Sequence, residues 1–100
     1  MMIEVGYGSD RQVVLSGRLD ASQAERAQAF LDQVEPPCVL DLGALEYISS
    51  AGLGVLLKTH KRLMAAGSGI QLINVNPHIN DIVRYSGMDK LFSIVTSAHD

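Results

Sequence analysis

Two adjacent serines, Ser49 and Ser50, stand where an apolar run changes into a helical pattern. The segment reads LEYISSAGLGVLL over residues 45–57, and Gly52 and Gly54 follow the serines within one turn. A helix N-terminus has free N–H donors and partial positive charge, so it can accommodate a phosphate on a ligand or on a serine. Each glycine costs a helix about 1 kcal/mol relative to alanine, so we expect the turn to need close approach by another surface. The alternative is structural, because either serine can serve as the N-cap of a buried helix.

Two enzymatic interpretations of this segment are weak. The GLG sequence lacks the third glycine of a dinucleotide fingerprint and the Gly-Lys-Ser/Thr end of a phosphate-binding loop. The serines also lack the G-x-S-x-G elbow of hydrolases, and His60 would lie about 15 Å from Ser50 at 1.5 Å per helical residue. His60 falls on the apolar face, where a core or boundary role is expected. No spacing is typical of metal ligands, so we expect no catalytic centre, metal or other cofactor.

A second group of polar residues occurs in GRLDAS, residues 17–22, where a predicted strand gives way to a helix. Asp20 and Ser22 are ordinary helix-capping residues, and the spacing of Ser22 and Glu25 predicts a capping box. The carboxyl ends of parallel strands form the usual binding edge of an α/β sheet. We therefore expect Asp20 to lie near Ser50.

The hydrophobic periodicity predicts a single α/β domain in the order β-β-α-β-α-β-α-β. Alternating or continuous apolar runs predict strands, and apolar residues at three- and four-residue spacing predict helices. Crossovers of this length join parallel strands, whereas the first two strands form a hairpin turning at 8–10. The expected sheet is therefore mixed, mostly parallel and four- to five-stranded. The predicted strands are 3–7, 12–17, 38–42, 70–75 and 91–95, and the predicted helices are 19–34, 49–66 and 77–86.

Length and composition limit the classes of protein to be considered. The chain has 100 residues, of which 47% are hydrophobic and 19% charged, so we expect one folded domain over residues 1–100. The net charge of −3 and the scattered basic residues argue against nucleic-acid binding. Because Cys38 is the single cysteine, an intramolecular disulfide is excluded, and we expect Cys38 to be a buried thiol. We find no leader or membrane-spanning pattern, which predicts a cytoplasmic protein without membrane insertion.

Three blocks of the sequence carry a family resemblance. SGRLDASQAERAQAFLDQV, CVLDLGALEYISSAGLGVLL and GIQLINVNPHINDIVRYSGMDKLFSI resemble, in order and spacing, the STAS domain of bacterial anti-sigma-factor antagonists. In that family a partner anti-sigma kinase phosphorylates the serine two residues before the glycine of the second helix, and a phosphatase removes the phosphate. The resemblance places this acceptor at Ser50 and the interface aspartate of the family's G-x-L-D motif at Asp20. The chain departs from well-studied members at Ser49, where they have aspartate, and at Ala51, where they have serine or threonine.

The resemblance implies a binding switch without catalysis of its own. Unphosphorylated protein would bind an anti-sigma factor or a related histidine-kinase-like serine kinase, and phosphorylation would abolish the complex. The residues expected to take part are the acceptor Ser50, its neighbour and cap Ser49, the low-profile turn Gly52 and Gly54, the apolar contact Leu53, and the second contact segment with Asp20 and Ser22.

Another STAS function remains open from the sequence. The serine in place of the aspartate before the acceptor also fits an unphosphorylated STAS subunit that docks on the cytoplasmic ATPase of a membrane lipid-transport complex. A phosphate-binding enzyme is the third alternative, and we expect no turnover of phosphate esters by the protein.

Overall fold

The computed structural model describes residues 3–8 and 12–96. Five strands form one sheet in the order β1-β2-β3-β4-β5, with β1 antiparallel to β2 and the remaining pairs parallel. The predicted mixed, mostly parallel sheet is confirmed. The strands are β1 (Glu4–Tyr7), β2 (Val13–Leu19), β3 (Cys38–Ile48), β4 (Ile70–Val75) and β5 (Ser93–Thr96), and the helices are α1 (Ala24–Leu31), α2 (Ser50–Ala66), α3 (Pro77–Tyr85) and a 3-10 turn (Met88–Lys90).

The opening hairpin is confirmed by the antiparallel pairing of β1 with β2. Its predicted turn at 8–10 lies outside the described residues except for Gly8. β2 then pairs with β3 along almost its whole length, from Val13 opposite Leu40 to Leu19 opposite Ile48. This pairing explains why β3 continues to Ile48 and does not end at residue 42 as predicted.

The boundaries of α2 and α3 follow local signals in the sequence. Ser49 is the N-cap of α2, and Gly67 ends that helix with a φ of 148°. Asn76 caps α3 by accepting a hydrogen bond from the Ile79 N–H at 2.9 Å. Gly87 follows α3 in the left-handed conformation, with a φ of 82°, as expected of a glycine after a helix. These predicted boundaries are confirmed.

The predicted start of α1 is wrong. The helix begins at Ala24 and not at residue 19, and its N-cap, Gln23, makes no side-chain capping bond. The proposed capping box fails because the Ser22 hydroxyl donates to Asp20 Oδ1 at 2.7 Å. Asp20 also holds a turn, in which its carbonyl accepts from the Gln23 N–H at 3.0 Å. The helix therefore starts only after this turn is complete.

The sheet buries one face much more deeply than the other. In β2, Val13, Leu15 and Leu19 are fully buried in the core, whereas the alternating residues Val14 and Arg18 are only half-buried. Strands in sequential order that are joined by right-handed crossovers place their helices on one face of the sheet. We infer that the half-buried side chains of β2 belong to the face away from the helices.

Candidate functional site

The ends of β2 and β3 bring the two predicted polar segments together. Leu19 pairs with Ile48 in the parallel ladder, and the Ser49 N–H donates to the Leu19 carbonyl at 2.9 Å. Residues 20–22 and 49–54 therefore continue side by side from neighbouring strands at one edge of the sheet. We call these two segments together the C-terminal rim. The prediction that the strand-to-helix connections share one edge is confirmed.

The two serines of the rim have different environments. The Ser49 backbone is extended, with φ −93° and ψ 176°, and its Oγ accepts a hydrogen bond from the Gly52 N–H at 3.2 Å. Ser50 is the first residue of α2, and its side chain is exposed. Within residues 3–8 and 12–96 the Ser50 hydroxyl makes no hydrogen bond. Ser49 is thus the cap, and the Ser50 hydroxyl is accessible to another molecule.

Gly52 has an internal reason to be glycine. A Cβ at this position would stand 2.6 Å from the Leu19 carbonyl oxygen and 2.8 Å from both Leu19 Cγ and Ile48 Cγ1. The glycine allows the first turn of α2 to rest directly on the ends of β2 and β3. The expectation that Gly52 clears space for a partner is therefore corrected, because the surface that approaches it belongs to the same chain.

Leu53 and Gly54 also differ from each other. Leu53 is only 5% exposed and belongs to the hydrophobic core, so its expected role as an apolar partner contact is corrected to a packing role. Gly54 is exposed, and no atom of the described structure beyond its local neighbours lies within 4 Å of the place a Cβ would occupy. Of the two glycines, Gly54 is therefore the one with open space around its Cα among the described residues.

Asp20 and Ser22 form a small hydrogen-bonded unit at the rim. Asp20 Oδ1 accepts from the Ser22 N–H at 3.1 Å and from the Ser22 hydroxyl at 2.7 Å. The hydrogen bond from the Ser22 side chain is the main reason that the pKa of Asp20 lies below its ordinary value, and the charge of Arg18 acts in the same direction. Asp20 therefore presents a carboxylate of fixed orientation beside the start of α2.

Sequence reasoning missed one pair of residues directly below the rim. The Arg18 guanidinium carbon lies 4.5 Å from the centre of the Tyr47 ring, in cation–π geometry. Arg18 and Tyr47 are partners in the β2–β3 ladder, one position before Leu19 and Ile48. Their contact depends on the register of two strands that are distant in sequence, so no local pattern could have revealed it.

His60 has the structural role expected from its position on the apolar face of α2. Its Nδ1 accepts a hydrogen bond from the Ile70 N–H at 3.0 Å, and its ring meets Phe92 edge-on, with centroids 4.9 Å apart. Over the described part of the chain, no group of three or more His, Cys, Asp or Glu residues is placed to hold a metal ion. The same residues include no helix long and apolar enough to cross a membrane.

A cavity lies on a part of the molecule away from the rim. It has a volume of about 370 Å³ and opens at the C-terminal end of α3, lined by Asp81, Arg84, Tyr85, Gly87, Asp89 and Lys90. The rim residues do not line it.

Comparison with known proteins defines the class of domain. The model of the family described as "Mlab, STAS domain" matches residues 6–96. A solved anti-sigma-factor antagonist (STAS) domain protein from Planctomyces limnophilus superposes with a TM-score of 0.74. It is 21% identical, and the match covers 98% of this chain and 92% of the other. The chain is therefore a STAS domain by both sequence and fold.

Relatives within the class are named as antagonists of anti-sigma factors. The chain is 37% identical over 87 residues to BtrV of Bordetella bronchiseptica, which is named as an anti-sigma factor antagonist. This alignment covers 83% of this chain and 75% of BtrV. It also resembles the structure of the Bacillus cell fate determinant SpoIIAA in the phosphorylated form, with a TM-score of 0.64 and 20% identity over 94% of this chain and 91% of that one. The protein belongs to the STAS family of anti-sigma-factor antagonists.

Proposed function

We propose that the protein binds an anti-sigma factor through the C-terminal rim and that phosphorylation of Ser50 releases this partner. The observation that carries the proposal is the division of roles between the two serines. Ser49 caps α2, whereas the Ser50 hydroxyl is exposed and unbonded within the described residues. A kinase can therefore modify Ser50 without removing the cap that starts the helix.

The covalent step on Ser50 is a phosphoryl transfer. A serine kinase, which in this family is the anti-sigma factor itself, transfers the terminal phosphoryl group of ATP to Ser50 Oγ. The hydroxyl proton is lost and ADP leaves. A serine phosphatase reverses the modification by hydrolysis, with water as the second reactant and inorganic phosphate as the product. The protein supplies the acceptor and the binding surface and performs no catalysis of its own.

The names of the relatives support this proposal. BtrV is named as an antagonist of an anti-sigma factor, and its identity of 37% over most of both chains makes a similar kind of partner reasonable for this protein. SpoIIAA has been solved in a phosphorylated form. We propose that this protein likewise works in the cytoplasm, where ATP and a sigma-factor regulator are available, with no nucleic acid bound and no insertion into a membrane.

The proposed contact surface consists of the exposed and half-exposed parts of the rim. Leu53 and Gly52 are buried and support this surface from below. A phosphate on Ser50 adds about −1.5 to −2 charges. The same helix N-terminus favours an anion, so we expect the domain to remain folded while the interface receives a new, strongly hydrated charge. The proposed partner contacts are Asp20, Ser22, Ser49, Ser50 and Gly54.

Mass spectrometry tests the acceptor directly. We expect protein isolated from its own cells to carry a single phosphate, located on Ser50 by tandem spectra. Ser50→Ala should abolish the modification, and Ser49→Ala, which removes the neighbouring hydroxyl, should retain it. Phosphate on Ser49, or continued phosphorylation of the Ser50→Ala variant, would contradict the assignment. Repeated absence of phosphate under varied growth conditions would favour the unphosphorylated subunit of a lipid-transport complex.

A further inference from the structure

We propose that Arg18 is the counter-cation of the phosphate on Ser50: its guanidinium leaves the Tyr47 ring and pairs with the phosphate oxygens once Ser50 is modified. The inference rests on the proposed function and adds to it the residue that senses the modification. It implies that phosphorylation changes the rim in two ways, by adding an anion and by withdrawing an arginine from its resting place.

The resting position of Arg18 is well defined. The guanidinium carbon stands 4.5 Å from the centre of the Tyr47 ring, and both side chains are half-buried. The two residues are register partners in β2 and β3, so the backbone fixes their relative position. An aromatic face holds a guanidinium by its flat side, which leaves the N–H groups at the edges of the fork free to bind an anion.

Among the residues that the structure describes, Arg18 has no anionic partner at contact distance. A guanidinium has five N–H donors. Within residues 3–8 and 12–96, Arg18 forms neither an ion pair nor a hydrogen bond, and its guanidinium stacks on Tyr47. A half-buried cation that contacts a neutral ring and feels the Asp20 charge only at longer range is easily redirected to a dianion at contact distance, since a charge–charge attraction is stronger than attraction to a ring quadrupole.

Arg18 is the last residue but one of β2, beside the strand end, so its long side chain can turn from the sheet face away from the helices to the rim. The carbonyl of Leu19, the residue after Arg18, accepts a hydrogen bond from the Ser49 N–H at 2.9 Å. Ser50 is the next residue after Ser49. The charge of Arg18 already acts at this edge, because it contributes to lowering the pKa of Asp20. A planar fork suits a phosphate better than an ammonium does, because it can donate two parallel hydrogen bonds.

The test uses the full chain with phosphoserine placed at position 50 during translation. The titration midpoint of the phosphate is measured by ³¹P NMR in otherwise unchanged protein and in the Arg18→Gln variant. An opposite charge within about 4–6 Å shifts a pKa by about 1–3 units, so we expect Arg18→Gln to raise the midpoint by roughly 1 unit. The matched control is Arg84→Gln, which removes the same charge from the last turn of α3 and should leave the midpoint unchanged.

A second measurement follows the arginine itself. In unphosphorylated protein the Arg18 Nε–H resonance should show the ring-current shift of a group stacked on Tyr47, and Tyr47→Leu should remove that shift. Phosphoserine at position 50 should remove it as well. Equal ³¹P midpoints in the unchanged, Arg18→Gln and Arg84→Gln proteins would overturn the proposal. An Arg18 resonance unaffected by the phosphate would also overturn it.

The result is independent of the kinase. Phosphoserine introduced during translation does not require that any cellular enzyme modifies Ser50. A protein that is never phosphorylated in its own cells would contradict the proposed function and leave the NMR comparison valid. Conversely, unchanged titration in the Arg18→Gln variant would contradict only the role of Arg18.

Discussion

The two glycines in the first turn of α2 offer a matched test of how the rim is built. Gly52 and Gly54 lie in the same stretch of helix, and alanine at either position improves helix propensity by about 1 kcal/mol. Their surroundings are opposite. An alanine Cβ at position 52 would meet the Leu19 carbonyl oxygen at 2.6 Å, whereas a Cβ at position 54 has no described atom beyond its local neighbours within 4 Å.

The difference between the variants isolates the cost of the collision. The propensity gain is common to Gly52→Ala and Gly54→Ala, so it cancels when the two are compared. The Leu19 carbonyl cannot simply turn aside, because it accepts the hydrogen bond from the Ser49 N–H. Forcing an extra carbon into such a well-packed place costs about 1–3 kcal/mol. We therefore expect the free energy of unfolding of Gly52→Ala to be lower than that of Gly54→Ala by about 1–3 kcal/mol.

Urea unfolding followed by far-UV circular dichroism measures this difference. Equal m-values in the two variants would show that the comparison concerns stability and not a change in the unfolded state. In thermal melts the gap should be roughly 4–8 °C for each kcal/mol in a domain of this size. Gly54→Ala should be at least as stable as the unchanged protein. If Gly52→Ala were as stable as Gly54→Ala, the first turn of α2 would not rest directly on the Leu19 carbonyl.

Three further predictions concern single side chains. Ser49→Ala should lower the free energy of unfolding by about 1 kcal/mol, because the hydrogen bond from the Gly52 N–H is lost. Ser50→Ala should change the free energy of unfolding by less than about 0.5 kcal/mol. The reverse result in urea titrations would show that Ser50, and not Ser49, is the cap. Ser22→Ala should raise the pKa of Asp20, measured by ¹³C NMR of its carboxyl, towards its ordinary value of 3.8. Because the folded pKa of Asp20 is depressed, its contribution to stability is present above that ordinary value and is lost as the pH falls through the folded pKa. Cys38 is only 2% exposed, and burial raises the pKa of its thiol. A thiol reagent should therefore label Cys38 no faster than the domain opens, and rapid labelling of fully folded protein would contradict its buried position.

Features that depend on neighbouring residues in sequence were predictable. Asn76 followed by a proline predicted the start of α3, and Gly67 predicted the end of α2; both are confirmed. The start of α1 was not predictable in this way, because Asp20 and Ser22 can each bond several nearby groups. In the structure the Ser22 hydroxyl donates to Asp20 and does not cap the helix, and the sequence alone does not distinguish these two roles.

Features that depend on strand register could not be read from the sequence. The contact of Gly52 with Leu19 and the stacking of Arg18 on Tyr47 both follow from the exact pairing of β2 with β3. Shifting a strand by one residue reverses the faces of all its side chains. The pattern of glycines was therefore visible in the sequence, but the reason for one of them lay in a strand more than thirty residues earlier.

The central claim is that phosphate on Ser50 controls the binding of an anti-sigma factor. Isothermal titration of the organism's anti-sigma factor into the protein with serine, and separately with phosphoserine, at position 50 tests it most directly. The phosphate places a strongly hydrated charge in the interface, and desolvating it is costly, so we expect phosphoserine to weaken the affinity by about a hundredfold or more. The unmodified protein should form the complex. Equal affinities of the two forms, or tighter binding by the phosphorylated form, would contradict the claim.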